Sequence, residues 1–278
     1  MIHPLDYFTS LVQQDDSIPL FEAALSIAQG ASPQLDLVAV QLEVDGFAER
    51  LQKRLPADAS DLQKLRMLNH FFYRELGFGA NVNNFYDPEN SYLDRVIATR
   101  RGIPISLAVV YMELAQQTGL DFRGVSFPGH FLMKLPLSSG AIVLDPLSGA
   151  SLSQVELEER LAPYLQQIPE MLELPVTEFL HTTATRAILV RMLHNLKAIF
   201  LGNQQWQSLL DVQRRLVILL PDEITERRDR GSAYAMLEQP EAALEDLEAY
   251  LRERPNAADA HDIRARLPQL RAASGRLH

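Results

Sequence analysis

Cysteine is absent from the 278-residue chain. Its absence excludes disulfide bonds, thiolate zinc sites and a cysteine nucleophile. The histidines show no spacing typical of metal ligands, so we expect no bound metal. We also expect no other cofactor. No apolar run is long enough to cross a bilayer, and the amino terminus lacks the basic start and apolar run of a signal peptide. We therefore expect a cytoplasmic protein without a membrane partner.

Basic residues are the minority charge in this chain. The sequence contains 26 lysines and arginines against 36 acidic residues, which gives a net charge of −10. No long cluster of basic residues interrupts this acidic background. An acidic chain without such a cluster is not typical of proteins that bind nucleic acids broadly. We therefore expect no nucleic-acid partner.

Hydrophobic residues make up 47% of the sequence, enough to fill a substantial core. The first part of the chain has the apolar spacing of successive helices. One helix start is marked by Ser60 and Gln63, whose types and spacing form a capping-box pattern. This pattern predicts a helix that begins directly after Ser60.

The middle of the chain predicts a mixed architecture. Residues 104–118 are apolar over most of the helical surface, which predicts a buried helix. Residues 122–127, 129–135 and 141–145 read as strands joined by short turns, which predicts an antiparallel sheet. A buried helix followed by such a meander is an α+β arrangement.

A turn-rich loop precedes this helix, with the sequence NVNNFYDPEN at residues 81–90. Phe85 and Tyr86 lie within it. We expect the two rings to anchor the loop to the core. The alternative is that they form a wall of a binding cleft, since loops often carry function.

An internal repeat occupies the carboxyl-terminal part. Pro221 and Pro255 mark equivalent positions in two copies, and Leu210 and Leu244 match at the same offset. This offset equals the helix–turn–helix period of about 34 residues that is typical of tetratricopeptide repeats. We predict two helix pairs within residues 185–254, followed by a capping helix over residues 257–270.

Three prolines, Pro163, Pro169 and Pro175, punctuate the stretch before the repeats. We place the domain boundary there. The predicted domains are an amino-terminal helical region with the α+β core at residues 1–175 and the helical repeats at residues 176–278.

Three residues with catalytic chemistry follow one another in the α+β region. Ser106 lies at a predicted helix start, His130 on a strand and Asp145 at the end of the next strand. This is the chain order of nucleophile, base and orienting acid in papain-like and transglutaminase-like folds. We expect the side chains to converge, with Asp145 bonded to one ring nitrogen of His130 and the other nitrogen facing Ser106.

Several motifs together resemble the bacterial SirB family. They are RRGIPISL at residues 100–107, GVSFPGHFL at residues 124–132, Asp145-Pro146 and, before them, NNFYD at residues 83–87. The resemblance implies a papain-like, transglutaminase-like core followed by tetratricopeptide repeats. It also implies that Ser106 occupies the position where transglutaminases have their nucleophilic cysteine, with His130 and Asp145 at the base and acid positions.

The sequence leaves two functions open. In the first, the protein is a non-catalytic or weakly catalytic transglutaminase-like module, which acts as an interaction or regulatory protein and binds a protein or peptide partner through its repeats. In the second, it is a serine-dependent hydrolase or acyltransferase that acts on peptide or amide bonds through Ser106, His130 and Asp145. The absent cysteine favours the first. The sequence gives no information on the oligomeric state.

Overall fold

The computed structural model describes residues 3–84, 86–165 and 174–275. Phe85 and Pro169 lie outside these residues. The chain divides into two compact units, one formed by residues 15–192 and the other by residues 1–14 together with residues 193–278. The division falls within helix α8 (Thr185–Gly202). The predicted boundary at residue 175 precedes this helix.

Among the described residues of the larger unit, five α-helices precede its main sheet. They are α2 (Leu20–Ile27), α3 (Leu37–Gln52), α4 (Asp61–Asn69), α5 (Leu93–Thr99) and α6 (Pro104–Gln117). Helix α4 has the predicted capping box, because the Ser60 and Gln63 side chains each bond the other residue's backbone N–H. It continues as a π-helical turn over His70–Glu75.

Helix α6 forms the centre of this unit. Most of its residues are buried, as the apolar surface of the sequence predicts. Three antiparallel strands follow it: β3 (Arg123–Val125), β4 (Leu132–Leu137) and β5 (Gly140–Leu144), in the order β3-β4-β5. The α+β class is confirmed.

Two further features complete the larger unit. Helix α7 (Gln154–Leu165) packs Leu157 and Leu161 against the sheet. Strands β1 (Gly79–Ala80) and β2 (Arg101–Gly102) form a short parallel pair that the sequence did not predict. Two-residue strands are too short to show an alternating pattern.

The smaller unit contains the repeats. Its helices after α8 are α9 (Trp206–Leu219), α10 (Ile224–Met236), α11 (Pro240–Glu253) and α12 (Ala260–Ser274). Helix α1 (Pro4–Leu11) packs on α9, where the Arg215 guanidinium lies 5.6 Å from the Phe8 ring centroid. The predicted helix pairs and the helix that caps them are present.

Backbone angles repeat with the predicted period. Gln204 and Glu238 both have left-handed backbones, with φ of 54° and 56°. Leu220 and Arg254 end α9 and α11 with φ/ψ of −126°/62° and −124°/60°. Both pairs have the same separation along the chain as the two matching prolines. The repeat is therefore a repeat of conformation as well as of residue type.

Across the described portion of the chain, no helix combines the length and apolar character needed to cross a membrane.

Candidate functional site

Ser106 lies in the first turn of α6 with no solvent exposure. Its Oγ lies 2.6 Å from the carbonyl oxygen of Asn90 and 3.1 Å from that of Ile103, and it accepts a hydrogen bond from the Ile103 N–H at 3.1 Å. A Cβ added to Gly102 would lie 2.7 Å from Oγ. The hydroxyl is therefore enclosed by backbone, and its proton points to a backbone carbonyl.

These contacts fasten the turn-rich loop to α6. Asn90 is buried, its side chain donates to the carbonyl of Asn84 at 2.7 Å, and it accepts from the Asn81 amide at 3.0 Å. Tyr86 is 78% exposed, so this ring is not packed into the core as predicted. Hydrogen bonds of the asparagines and Ser106 hold the loop instead.

Asp145 follows β5 and opens a tight loop, residues 145–149. Its Oδ1 accepts the Leu147 N–H at 2.8 Å, and its Oδ2 accepts from Arg160 of α7 at 2.8 Å. The Gly149 N–H donates to the Asp145 carbonyl at 2.8 Å. Gly149 has φ of 71°, and a Cβ there would lie 2.4 Å from the Tyr73 ring. The position therefore requires glycine for two independent reasons.

Two side chains from the helical region support this loop. Tyr73 Oη donates to the Pro146 carbonyl at 2.9 Å, and Asn69 donates to the Gly149 carbonyl at 3.0 Å. Asn69 in turn accepts from Tyr111 of α6 at 2.7 Å. Burial raises the pKa of the Tyr73 hydroxyl, and the Asp145 charge adds to the increase. The tyrosine therefore stays protonated and remains a donor.

His130 lies in the turn between β3 and β4, rather than on the strand as predicted. Gly129 before it has φ of 67°, and the Tyr164 ring covers it so closely that an added Cβ would lie 1.7 Å from Tyr164 Oη. Arg191 donates to the His130 carbonyl at 2.9 Å. The backbone at His130 is thus fixed on both sides.

The electrostatics of His130 favour the neutral ring. Burial and the positive charge of Arg160 lower the pKa of His130, and the negative charge of Asp145 opposes this shift. His130 and Asp145 therefore lie within electrostatic reach of each other, with Arg160 close to both. The neutral form of the imidazole therefore predominates at neutral pH.

The predicted hydrogen bonds between the three residues differ from those observed. Within the parts of the chain that the structure describes, no hydrogen bond joins Ser106 to His130 or His130 to Asp145. We expected Asp145 to bond a ring nitrogen of His130, but its Oδ2 instead accepts a hydrogen bond from Arg160. A permanently charged guanidinium makes a stronger hydrogen bond to a carboxylate than a neutral ring does. Ser106 bonds to backbone carbonyls, which carry no residue-specific signal in a sequence.

Arg160, Tyr164 and Arg191 were missed by the sequence reasoning. Arg160 lies four residues after Glu156, a spacing that indicates a solvated helical pair. Nothing in the order of residues shows that α7 turns this arginine toward Asp145. No cluster of three or more potential metal ligands occurs among the described residues.

The repeat unit contains buried charges of its own. Glu226 accepts from Lys197 at 2.7 Å and lies 3.0 Å from a ring nitrogen of His194. Burial opposes the Glu226 charge, but the bonds from His194 and Lys197 outweigh it and lower the pKa of Glu226 to about 2. Asp246 of α11 is also buried and accepts from Arg227 and Arg230 of α10. These ion pairs join helices within the repeats.

Comparison with known proteins agrees with this architecture. A family model described as "Transglutaminase-like superfamily" matches residues 38–194, and one described as "Tetratricopeptide repeat" matches residues 196–268. The class is therefore a transglutaminase-like core followed by tetratricopeptide repeats. No solved structure shows a significant match to the chain.

Relatives of nearly equal length make the assignment more specific. A "UPF0162 protein" from Xylella fastidiosa is 35% identical over 92% of this chain and 91% of the relative. A "UPF0162 protein" from Vibrio cholerae is 25% identical over 92% of this chain and 93% of the relative. "Protein SirB1" from Salmonella typhimurium is 25% identical over 81% of this chain and 82% of the relative. The chain belongs to the SirB family.

Proposed function

We propose that this protein is a non-catalytic, transglutaminase-like interaction protein, which binds a protein or peptide partner in the cytoplasm through its repeats. The observation that carries the proposal is the environment of Ser106. A serine nucleophile needs an exposed Oγ and a general base within hydrogen-bond reach. Ser106 is enclosed, and its hydroxyl bonds to the Asn90 and Ile103 carbonyls. Its geometry supports a structural role.

The repeats support the second part of the proposal, that the protein binds a partner. Stacked helix pairs form extended surfaces that commonly bind peptides or helices. The transglutaminase-like unit would then act as a folded scaffold, and regulation would follow from which partner the repeats hold.

One observation favours a second function, a serine-dependent hydrolase or acyltransferase that uses Ser106, His130 and Asp145. Burial lowers the pKa of His130, which favours the neutral imidazole, and the ring lies within electrostatic reach of Asp145. A neutral imidazole can accept a proton from a nucleophile. This alternative requires Ser106 to leave its backbone partners when a substrate binds.

Labelling with a serine-directed acyl-phosphonate probe separates the two functions. The non-catalytic proposal predicts that purified wild type and Ser106→Ala incorporate the same small amount of probe. Labelling of the wild type that is lost in both Ser106→Ala and His130→Ala would establish the hydrolase alternative.

The interaction role is tested by affinity capture with the full chain as bait, followed by binding measurements with each purified candidate partner. A matched bait carries Gly231→Leu, because an added Cβ at Gly231 would lie 3.0 Å from Asp246 Cβ and from Leu247 Cγ, between α10 and α11. We expect a partner that binds wild type and Ser106→Ala but not Gly231→Leu. Equal binding to all three baits would contradict the proposal that the repeats bind the partner.

A further inference from the structure

A groove of about 480 Å³ lies between α11 and α12, at the carboxyl-terminal end of the repeats. Helix α11 contributes Glu248, Leu251 and Arg252, and α12 contributes Arg264 and Leu267, among others. Residues three and four apart lie on the same face of a helix, so both helices present one continuous face to the groove. Its volume is within the range of about 300–1,000 Å³ that is common for ligand-binding clefts.

The floor of the groove is apolar. Leu267 is buried, Leu251 is half-buried, and both pack in the hydrophobic core of the last repeat. Pro268 lies beside them at the surface. An occupant that contacts this floor must therefore present apolar side chains.

The walls of the groove carry more positive than negative charge. Three arginines face it, and Glu248, its one acidic residue, pairs with Arg271 at 2.8 Å. Arg264 donates to the carbonyl of Pro255. Arg252 has no acidic partner among the residues that the structure describes. A basic patch on a chain with a net charge of −10 favours an acidic occupant.

The preceding repeat shows how an arginine at this position is used. Arg230 of α10 and Arg264 of α12 are one repeat period apart. The Arg230 guanidinium donates two hydrogen bonds, at 2.6 and 2.8 Å, to the buried carboxylate of Asp246 in α11. Helix α11 is the helix that follows α10 and packs against it. In the described structure, no later helix packs on α12 in the way that α11 packs on α10. Arg264 has no carboxylate partner among the described residues.

Helix α11, which carries the carboxylate that Arg230 binds, also indicates the sequence features expected of a helix that occupies the groove. Residues 240–253 have the sequence PEAALEDLEAYLRE, with five acidic residues and one arginine. Leu247 and Tyr250 on the same helix are buried. Helix α11 is thus an acidic amphipathic helix with an apolar face.

We propose that the groove between α11 and α12 binds an acidic amphipathic helix of a partner protein, whose carboxylate pairs with Arg264 as Asp246 pairs with Arg230. The apolar face of that helix covers Leu251 and Leu267, and its flanking acidic residues face Arg252. This inference rests on the proposed partner-binding function and specifies the chemistry of the partner.

The probe is a fluorescein-labelled, hydrocarbon-stapled peptide with the sequence of residues 240–253, because an unconstrained peptide of this length is only marginally helical. Fluorescence anisotropy follows its binding to the full chain. We expect saturable binding that weakens at least tenfold in Arg264→Glu and in Arg252→Glu. The matched control is Arg266→Glu, an exposed arginine of α12 that does not line the groove, which should change affinity less than twofold.

A charge exchange tests the predicted ion pair directly. A peptide with lysine at the position of Asp246 should bind wild type at least tenfold more weakly and regain affinity for Arg264→Glu. Circular dichroism of each variant confirms that the fold is intact. Equal binding of both peptides, no saturable binding, or an equal loss in Arg266→Glu would overturn the inference.

Two further outcomes are distinguishable. Sedimentation that shows self-association abolished by Arg264→Glu would identify a second copy of this chain as the occupant, which contradicts a separate partner protein. If a captured partner still binds Arg264→Glu and Arg252→Glu but not Gly231→Leu, the repeats bind partners elsewhere. The groove inference then fails while the proposed function stands.

Discussion

The first turn of α6 and the groove between α11 and α12 show two opposite uses of polar side chains. At the start of α6, Ser106 makes every one of its hydrogen bonds to the surrounding backbone. In the groove, Arg252 lacks an acidic partner among the described residues. A group can act on a ligand only if the fold leaves it without a better internal partner. The comparison therefore separates a side chain whose bonding capacity the fold already uses from one whose charge has no acidic partner in the described residues.

The same contrast extends to the charges near each region. Asp145 pairs with Arg160 in the larger unit, and Asp246 pairs with Arg227 and Arg230 in the repeats. Both carboxylates hold elements of the fold together. Removing such groups should reduce stability, whereas removing the groove residue Arg252, which has no acidic partner among the described residues, should reduce binding alone.

Gly129→Ala should have the largest effect on stability. The added methyl group would overlap Tyr164 and force a left-handed backbone on a non-glycine residue. Overpacking costs about 1–3 kcal/mol and the backbone about 1–2 kcal/mol, so we expect a loss of about 4 kcal/mol in the free energy of unfolding. Urea unfolding followed by far-UV circular dichroism measures it.

Gly77→Ala is the matched control for this substitution. Gly77 has φ of 76° with no atom within 4 Å of an added Cβ, so it reports the backbone cost alone. Equal losses in the two variants would show that Tyr164 does not cover Gly129 as described.

Glu226→Gln should reduce the stability of the repeat unit by about 3 kcal/mol at neutral pH. The pKa of Glu226 is about 2 in the folded chain against 4.5 for the free side chain, and each pKa unit corresponds to about 1.4 kcal/mol. The folded pKa is depressed, so the stabilisation is fully present above about pH 4.5 and is lost as the pH falls toward 2. The difference between wild type and variant should therefore shrink over that interval.

The only tryptophan, Trp206, lies in α9, so its fluorescence follows unfolding of the repeats. The control is Glu223→Gln, at an exposed residue three positions before Glu226, which should leave the pH dependence of stability unchanged. A wild-type profile that stays flat between pH 5 and pH 2 would contradict the buried ion pair.

Ser106→Ala should destabilise the larger unit by about 2 kcal/mol. The change removes the serine partner of the Ile103 N–H and of the Asn90 carbonyl in a buried site, where the two groups keep only a long bond of 3.4 Å to each other. Weakening a buried hydrogen-bond network in this way costs about 1–3 kcal/mol. Unfolding followed by far-UV circular dichroism measures the change. Ser139→Ala, in the exposed β4–β5 turn, should have no measurable effect, and an equally silent Ser106→Ala would remove the structural role.

Arg252→Ala should have the smallest effect, under about 0.5 kcal/mol in unfolding monitored by Trp206, since exposed residues outside such networks contribute little. Arg230→Ala serves as the positive control, because it removes one of the two arginines that pair with buried Asp246. If Arg252→Ala destabilises as much as Arg230→Ala, the groove arginine has a structural partner and the comparison fails.

Local and periodic features of the fold were predictable from sequence. The capping box at Ser60 depends on residues three apart, and the repeats depend on a fixed period along the chain. The buried helix α6 and the antiparallel meander also follow from apolar patterns. Each of these signals is a property of neighbouring or regularly spaced positions.

The environment of the candidate site was not predictable in the same way. Ser106 bonds to the backbone carbonyl of Asn90, and every residue has a carbonyl, so no pattern marks the partner. Asp145 pairs with Arg160 only because α7 packs beside β5. The division between the two units falls within α8 because packing between helices decides where each unit ends. Prolines in a sequence indicate only local breaks.

The most direct test of the central claim is the reactivity of a thiol at position 106. Wild type has no cysteine, so Ser106→Cys contains a single thiol whose alkylation by iodoacetamide can be followed at pH 7.5. We predict a reaction at least tenfold slower than that of the exposed control Ser139→Cys, because the site is buried and its hydrogen-bond partners are backbone groups. Reaction faster than the control, and slowed by His130→Ala, would show a thiolate stabilised by an imidazolium. That result would contradict the structural role of Ser106 and support the catalytic alternative.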